Sequence, residues 1–474
     1  MRRDSRQQES RWNEGVTRTA NLGARLAEAV GTQSVAATPE ELVSYAVDGL
    51  SPAVVVKPSS PAEVVEVVKF ALAEKLKVVP LGSGSKCEIG MAPTRYEIAL
   101  DMSAMCEVAH YDAGDLTLSI DAGMSLRELE VFLRAHGQFL PLAVPCFESA
   151  TAGGTVASGI DSVLRRQYGT ARDFLLGAEF VDGKAELCKS GGRVVKNVTG
   201  YDLHKLLIGS LGTLGIITRL NFRTFPMQPV SGGYVANFSS GAEALDYREH
   251  LENSGLPLTN LEVIDSETMR IIRTILWRVE NRVPSAIEDA AWCVYGSFEG
   301  SESVTRRISS ELEKLGGDSG ARHSEVLEPG ADEVLGGMLR EAFEWLRWAS
   351  PATILYRLAL CGRTNDAIAE LVSAAESLSL RFALLVRAAG IVYFALLSEK
   401  EEAMLASAPK IDSVVVPLAR KHGGHATLLH APLSAKLKIT EARPQRADAA
   451  LQSRMKKVFD PSDIFVPGRM VGGI

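Results

Sequence analysis

Three glycine clusters in the first 220 residues constrain the fold of this chain more than its length or composition does. They are Pro80-Leu-Gly-Ser-Gly-Ser85, Thr151-Ala-Gly-Gly-Thr-Val-Ala-Ser-Gly159, and Ser190 to Thr218, SGGRVVKNVTGYDLHKLLIGSLGTLGIIT. Glycine costs more backbone entropy on folding than any other residue, so a cluster marks positive φ or a backbone that something must approach closely. The first cluster follows the short apolar run KVV. A strand entering a GxGS turn exposes successive N–H groups and a hydroxyl, which together make an anion nest; an ordinary tight turn is the alternative. Two common phosphate motifs fail on spacing. A Walker loop needs GxxxxGK[ST], whereas GSGSK places its lysine two residues after a glycine. A Rossmann turn needs GxGxxG, and Gly82-Ser-Gly84-Ser-Lys-Cys87 has no third glycine in place.

The flanking sequence reads as short strands and amphipathic helices. AVVVKPSS is a strand ended by Pro58, and SPAEVVEVVKFALAEKL a helix with Ser60 as N-cap, Pro61 at its first position and Glu63 in its first turn. SLRELEVFLRAHG is a second helix, capped by Ser125 and burying Leu126, Leu129, Phe132 and Leu133. PLAVPCFESATAGGTVASG reads as a long loop entering the second glycine turn. FLLGAEFVDG and KAELCKSGG read as a hairpin turning at Asp182-Gly183. Beyond Pro229 strands alternate with longer helices, which implies a β-α-β arrangement with its own core and no internal repeat. The expected class is α+β. The expected division is a polar leader and helix at 1–48, a glycine-clustered domain at 49–228, a second domain at 229–440, and a returning helix and loop at 441–474.

A formal charge of -7 on 474 residues gives no general basic surface, which argues against nucleic acid as a partner. Six scattered cysteines include no CxxC pair, so the chain carries no iron–sulfur cluster of its own. The polar N-terminus lacks the apolar core of a signal peptide, and no apolar run reaches the roughly 18 residues of a membrane span. A cytoplasmic location follows as the expectation.

Taken in order, PLGSGSK, TAGGTVASG, RRQYGTARDFLLGAEFVDG and KNVTGYDLHKLLIGSLGTLGIIT resemble the motifs of the PCMH-type FAD-binding domain of the vanillyl-alcohol oxidase superfamily. Within it, the last of these segments and HGGHATLLHAP are most similar to the FAD-binding second subunit of bacterial glycolate oxidase; FDPSDIFVPGRM resembles the family's closing motif. The resemblance implies a two-lobed FAD domain under an α/β cap with a ferredoxin-like sheet, and a C-terminal segment returning to the flavin. It implies cofactor contacts from Pro80, Gly82, Ser83, Gly84 and Ser85 at the pyrophosphate. Gly153, Gly154, Thr155, Ser158 and Gly159 would lie along the phosphates and ribityl chain, and Ile216 and Ile217 at the adenine end or flavin edge. Arg172 and Asp173, with Arg165 and Arg166, either order the flavin pocket or form a surface ion pair. Lys196, Asn197, Tyr201 and Asp202 match KNxxGYD, and Gly191, Gly192 and Gly200 would shape a polar turn beside the flavin. The first turn has no histidine for covalent attachment, and Cys146 sits in an apolar loop, so noncovalent FAD is expected.

The resemblance further implies oxidation of a small 2-hydroxyacid such as glycolate or D-lactate. That chemistry needs a cation for the carboxylate and a base for the hydroxyl proton. Arg357 and Arg387 are candidates for the first role, and His425 for the second. Glu262 and Asp265 read as packing residues. His422, His425 and His430 offer a metal triad on residue type alone, but the acidic and amide residues of the family's metal motif are missing, and no metal is assigned. Val466 stands where the family more often has asparagine. Implied partners are a second flavin subunit and an iron–sulfur subunit, which would bring the chain to the inner membrane. The alternatives are a non-catalytic flavin-binding or electron-relay subunit, and a sugar-acid or aldonolactone oxidase.

Overall fold

The computed structural model describes residues 22–470 apart from 32–34, 37, 194–199, 282, 286, 288–291, 362–363, 388–389 and 443–448. Lys196 and Asn197 lie outside the described residues. The first lobe contains β1 (Val35–Ala36), β2 (Val54–Val56), β3 (Val78–Leu81) and β4 (Ile98–Asp101), in the order β1-β2-β4-β3 with β2, β4 and β3 parallel. The helix Pro61–Glu74 makes the crossover. The Ser60 side chain accepts from Glu63 N as the sequence predicts, a cap worth about 1 kcal/mol. Its Val64, Val67, Val68 and Ala71 are buried against the three strands, and each valine so buried contributes about 1.5–3 kcal/mol. Ile464, Phe465 and Val466 complete this core from the far end of the chain. They run beside β3, with Val78 N donating to Ile464 O at 2.8 Å and Val466 N to Val78 O at 3.1 Å.

Next come β5 (Val108–Asp112), β6 (Thr117–Asp121), β7 (Gln138–Phe139), β8 (Leu175–Val181), β9 (Leu187–Gly191), β10 (Ile216–Arg223) and β11 (Phe225–Pro226). β7 and β11 pair with each other; the other five form the second lobe's antiparallel sheet, ordered β5-β6-β10-β8-β9. β8 and β9 are the expected hairpin. The expected loop into the second glycine cluster is instead interrupted by a helix, Ala152–Ser158, whose cap Thr151 accepts from Gly154 N. Two glycines in its first turn disfavour helix, but the cap and the packing described below override propensity.

The remaining strands are β12 (Val230–Phe238), β13 (Leu258–Ile264), β14 (Trp292–Gly300), β15 (His323–Val326), β16 (Ala352–Ala359), β17 (Arg381–Arg387), β18 (Ile391–Ser398) and β19 (His425–His430). They form one antiparallel sheet, β15-β12-β14-β13-β17-β18-β16-β19. Its halves, β13-β14-β12-β15 and β17-β18-β16-β19, share the strand order of a βαββαβ unit, the first with the added helix Ser266–Glu280 between β13 and β14, and they join at the β13–β17 pair. The molecule therefore contains an internal structural repeat, against the expectation of none. One face of the sheet packs on helices Gly241–Asn253, Glu302–Gly317, Thr364–Ser377 and Glu401–Lys421. The other, carrying Tyr295, Leu355, Leu385 and Tyr393, shares a core with the second lobe and the helices Pro329–Arg340 and Ala342–Arg347.

Candidate cofactor site

β3 ends at Leu81 and the chain turns through Gly82–Ser85 along the rim of a cavity between the lobes. Pro80, Gly82, Ser83, Gly84 and Ser85 line it together with Gly153, Gly154, Ser158 and Ile217. The amide N–H groups of Ser83 and Gly84 find no acceptor among the described residues. Gly84 has φ +74° and open space where a side chain would stand, a conformation glycine takes without strain. Close packing around the cavity excludes side chains from two of these glycines. A Cβ on Gly82 would lie 2.1 Å from Thr151 Oγ1, and one on Gly153 2.7 Å from the Ala122 methyl.

The second cluster contributes bare backbone rather than donors. Ala152 N donates to Met124 O at 2.9 Å, Gly153 N to Ala122 O at 2.7 Å, and Gly154 N to Thr151 Oγ1 at 3.2 Å. Thr155 is buried outside the cavity lining, and Gly159 ends the helix in a left-handed turn against Gly209. Strand alternation separates the two isoleucines: Ile217 lines the cavity and Ile216 is buried in the first lobe's core. Gly212 and Gly215 also line it. Arg172 and Asp173 do not; both are exposed, and Asp173 accepts from Thr170 N at 2.7 Å as a capping box. Gly191 packs on the backbone of Leu176 and Gly177. Tyr201 is 90% exposed, neither packed nor in the cavity lining.

On the cap, Arg357 pairs with Asp161, two residues beyond the second glycine cluster. Its Nη2 lies 2.9 Å from Asp161 Oδ1, and Nε bonds Oδ2. Arg165 bonds the same carboxylate. Burial opposes that charge, but the two guanidinium groups hold Asp161 below the usual carboxylate range. Arg387 is fully buried, with Nε 2.7 Å from Glu262 and Nη2 2.8 Å from Leu339 O. Glu262 is thus an ion-pair partner, not mere packing. Arg387 Nη1, Glu262 Oε2 and the Tyr393 hydroxyl are buried without a hydrogen-bond partner among the described residues. Cross-strand pairing puts Arg357 opposite Tyr393 and Thr427, and His425 opposite Ala359. His425 therefore stands one step along the ladder from Arg357 on the same sheet face, at an exposed position. None of Arg357, Arg387 and His425 lines the glycine cavity.

Residues 52–191 match the model of an FAD binding domain, and residues 229–470 that of the C-terminal domain of FAD linked oxidases. The chain belongs to the FAD-linked oxidases. Among curated relatives, the mitochondrial D-lactate dehydrogenase [cytochrome] of Arabidopsis thaliana is 26% identical over 428 residues, which is 89% of this chain and 73% of that protein. The glycolate oxidase subunit GlcE of Escherichia coli is 33% identical over 202 residues, 42% of this chain and 57% of that one. The solved structure of p-cresol methylhydroxylase with substrate bound shares the fold, with a TM-score of 0.74 at 15% identity over 97% of this chain and 96% of that one. The cofactor of this family is FAD. The cavity fits its diphosphate, because the N–H groups of Ser83 and Gly84 lack acceptors and Gly84 leaves open space beside them.

In this FAD-linked oxidase the three histidines take separate positions. His422 Nε2 is 3.3 Å from Glu370, and His430 Nδ1 3.0 Å from Glu88. No group of three metal-ligating side chains forms among the described residues. No described helix is long and apolar enough to cross a membrane. Cys146 departs from its expected apolar setting. It has φ +58°, its thiol donates to Glu344 at 3.1 Å, and burial with that carboxylate pushes the thiol up to about 12. Sequence reasoning missed Asp161 and Lys86. Each lies within two residues of a glycine cluster, which is the signal available for finding them.

Proposed function

We propose that this FAD-linked oxidase oxidises a small 2-hydroxyacid, glycolate or D-lactate, and passes the electrons to a partner subunit. Bound FAD supplies the hydride acceptor. Gly82–Ser85 would hold its diphosphate, with Gly153, Gly154, Ser158 and Ile217 against the rest of the cofactor, noncovalently. The carrying observation is the placement of Arg357. Asp161 ties it to the segment just beyond the second glycine cluster, while its Nη1 has no acceptor among the described residues. A guanidinium fixed at two nitrogens and open at the third suits a substrate carboxylate. His425, on the same sheet face, would take the hydroxyl proton. Arg387, committed to Glu262, would support the Tyr393 end of that face rather than touch substrate. The names of the relatives support the substrate class, and that of the glycolate oxidase subunit GlcE supports a place in a multi-subunit complex; the partners proposed for it are a second flavin subunit and an iron–sulfur subunit, with any membrane contact made through them.

The exposure of His425 and the commitment of Arg387 favour a second reading, a flavin-bearing relay subunit without turnover. Anaerobic mixing of the yellow chain with glycolate or D-lactate separates the two. The expected result is bleaching of the flavin band by one of them, slowed about 10- to 100-fold in Arg357→Met, the weight of one charged hydrogen bond. Failure of both acids to bleach the wild type sinks autonomous oxidation.

A further inference from the structure

Lys86 follows the first glycine turn and lines the same cavity. It is 8% exposed. A buried ammonium carries three donors and a large desolvation cost, so it requires acceptors or an anion. Among the described residues, Lys86 Nζ has one marginal contact, the Ser85 hydroxyl at 3.5 Å, and no carboxylate within salt-bridge distance. The nearest acidic groups are already engaged. Glu341 accepts from Cys146 N at 2.5 Å, Phe147 N at 3.3 Å and Arg340 Nε at 3.2 Å. Glu344 accepts from Cys146 Sγ at 3.1 Å and Arg347 Nη2 at 2.8 Å. Among the described residues, then, a buried cation without a counter-ion stands beside a turn whose amide donors lack acceptors.

We propose that Lys86 is the counter-charge for the diphosphate of bound FAD, completing the anion site that the amides of Ser83 and Gly84 begin. The inference rests on the family's cofactor and assigns it a cation that the spacing of GSGSK denies to a Walker loop. Burial lowers the Lys86 ammonium to about 8 without cofactor, with Cys146, Glu341, Glu344 and Arg347 facing it. Its contribution to binding is therefore complete below that pH and is lost as pH rises beyond it.

The test uses the full chain stripped of flavin, with wild-type uptake of FAD as the control on the family assignment. Lys86→Met is expected to weaken FAD and ADP alike by about 10- to 100-fold, the loss of a charged hydrogen bond. Riboflavin, which lacks the phosphates, should bind as before. The apo variant should melt no lower than wild type, because an unpaired buried charge has been removed. The fall in FAD affinity above pH 8 should vanish in Lys86→Met, and Lys86→Gln, a polar variant, should bind as weakly. Unchanged FAD and ADP affinity, or a loss confined to riboflavin, would overturn the assignment.

Discussion

Asp265 is a fully buried carboxyl that caps the helix Ser266–Glu280, its Oδ1 accepting from Thr268 N and Leu384 N at 2.9 Å each. Burial raises it from 3.8 to about 6. The folded state binds this proton more tightly than the unfolded chain. Its contribution is therefore fully present below about pH 4 and is lost as pH rises through about 6. Asparagine keeps the oxygen that both amides use. Asp265→Asn should thus remove about 3 kcal/mol of pH-dependent stability, seen as a flatter melting-temperature profile between pH 4 and 7. A profile parallel to wild type would show that the carboxyl is not shifted. Residues whose roles are local were legible: Ser60 and Ser125 cap helices because a hydroxyl three residues before a free amide does so in any fold. Asp161 was not legible, because its meaning depends on Arg357, 196 residues away. Val466 was legible as a departure from the family pattern, but not its backbone: φ +45° is strained for a β-branched side chain and tolerated by asparagine.

At the level of elements, the helix Ala152–Ser158 carries the second glycine cluster against the end of β6. In Gly153→Ala the new methyl would meet the Ala122 methyl at 2.7 Å and its carbonyl oxygen at 2.9 Å. Overpacking against backbone costs about 1–3 kcal/mol, more than the roughly 1 kcal/mol that alanine returns to a helix. The variant should melt lower and release FAD more readily, read by flavin fluorescence during heating; retention at the wild-type temperature would show that the helix has slack. The sequence identified the glycines but not the helix, because their cost in propensity is outweighed by the contact of Gly153 with Ala122, 31 residues earlier. The duplicated βαββαβ unit was equally hidden. Its halves share topology and a core on both faces rather than residues, and buried strands read as apolar runs without a distinctive period.

Across the whole molecule, the two lobes and the C-terminal segment converge on one cavity, lined by Gly82, Gly153 and Val466 among others. Ile464–Val466 run beside β3 below the first glycine turn, and the cap reaches the second cluster through Arg357 and Asp161. The ordered glycine motifs made the cofactor domain legible, since close approach to a bulky ligand leaves a trace in residue type. The substrate side was less so, because an arginine on a strand looks the same whether it binds a carboxylate, like the proposed role of Arg357, or holds a buried carboxyl, like Arg387 with Glu262. We propose that the cavity between the glycine turns holds FAD without a covalent bond. The visible spectrum of the purified full chain titrated with FAD, followed by acid precipitation, reads this directly. One FAD taken up per chain and released entirely into the supernatant is the predicted result. A chain that takes up no FAD, or flavin that stays with the precipitate, would contradict it.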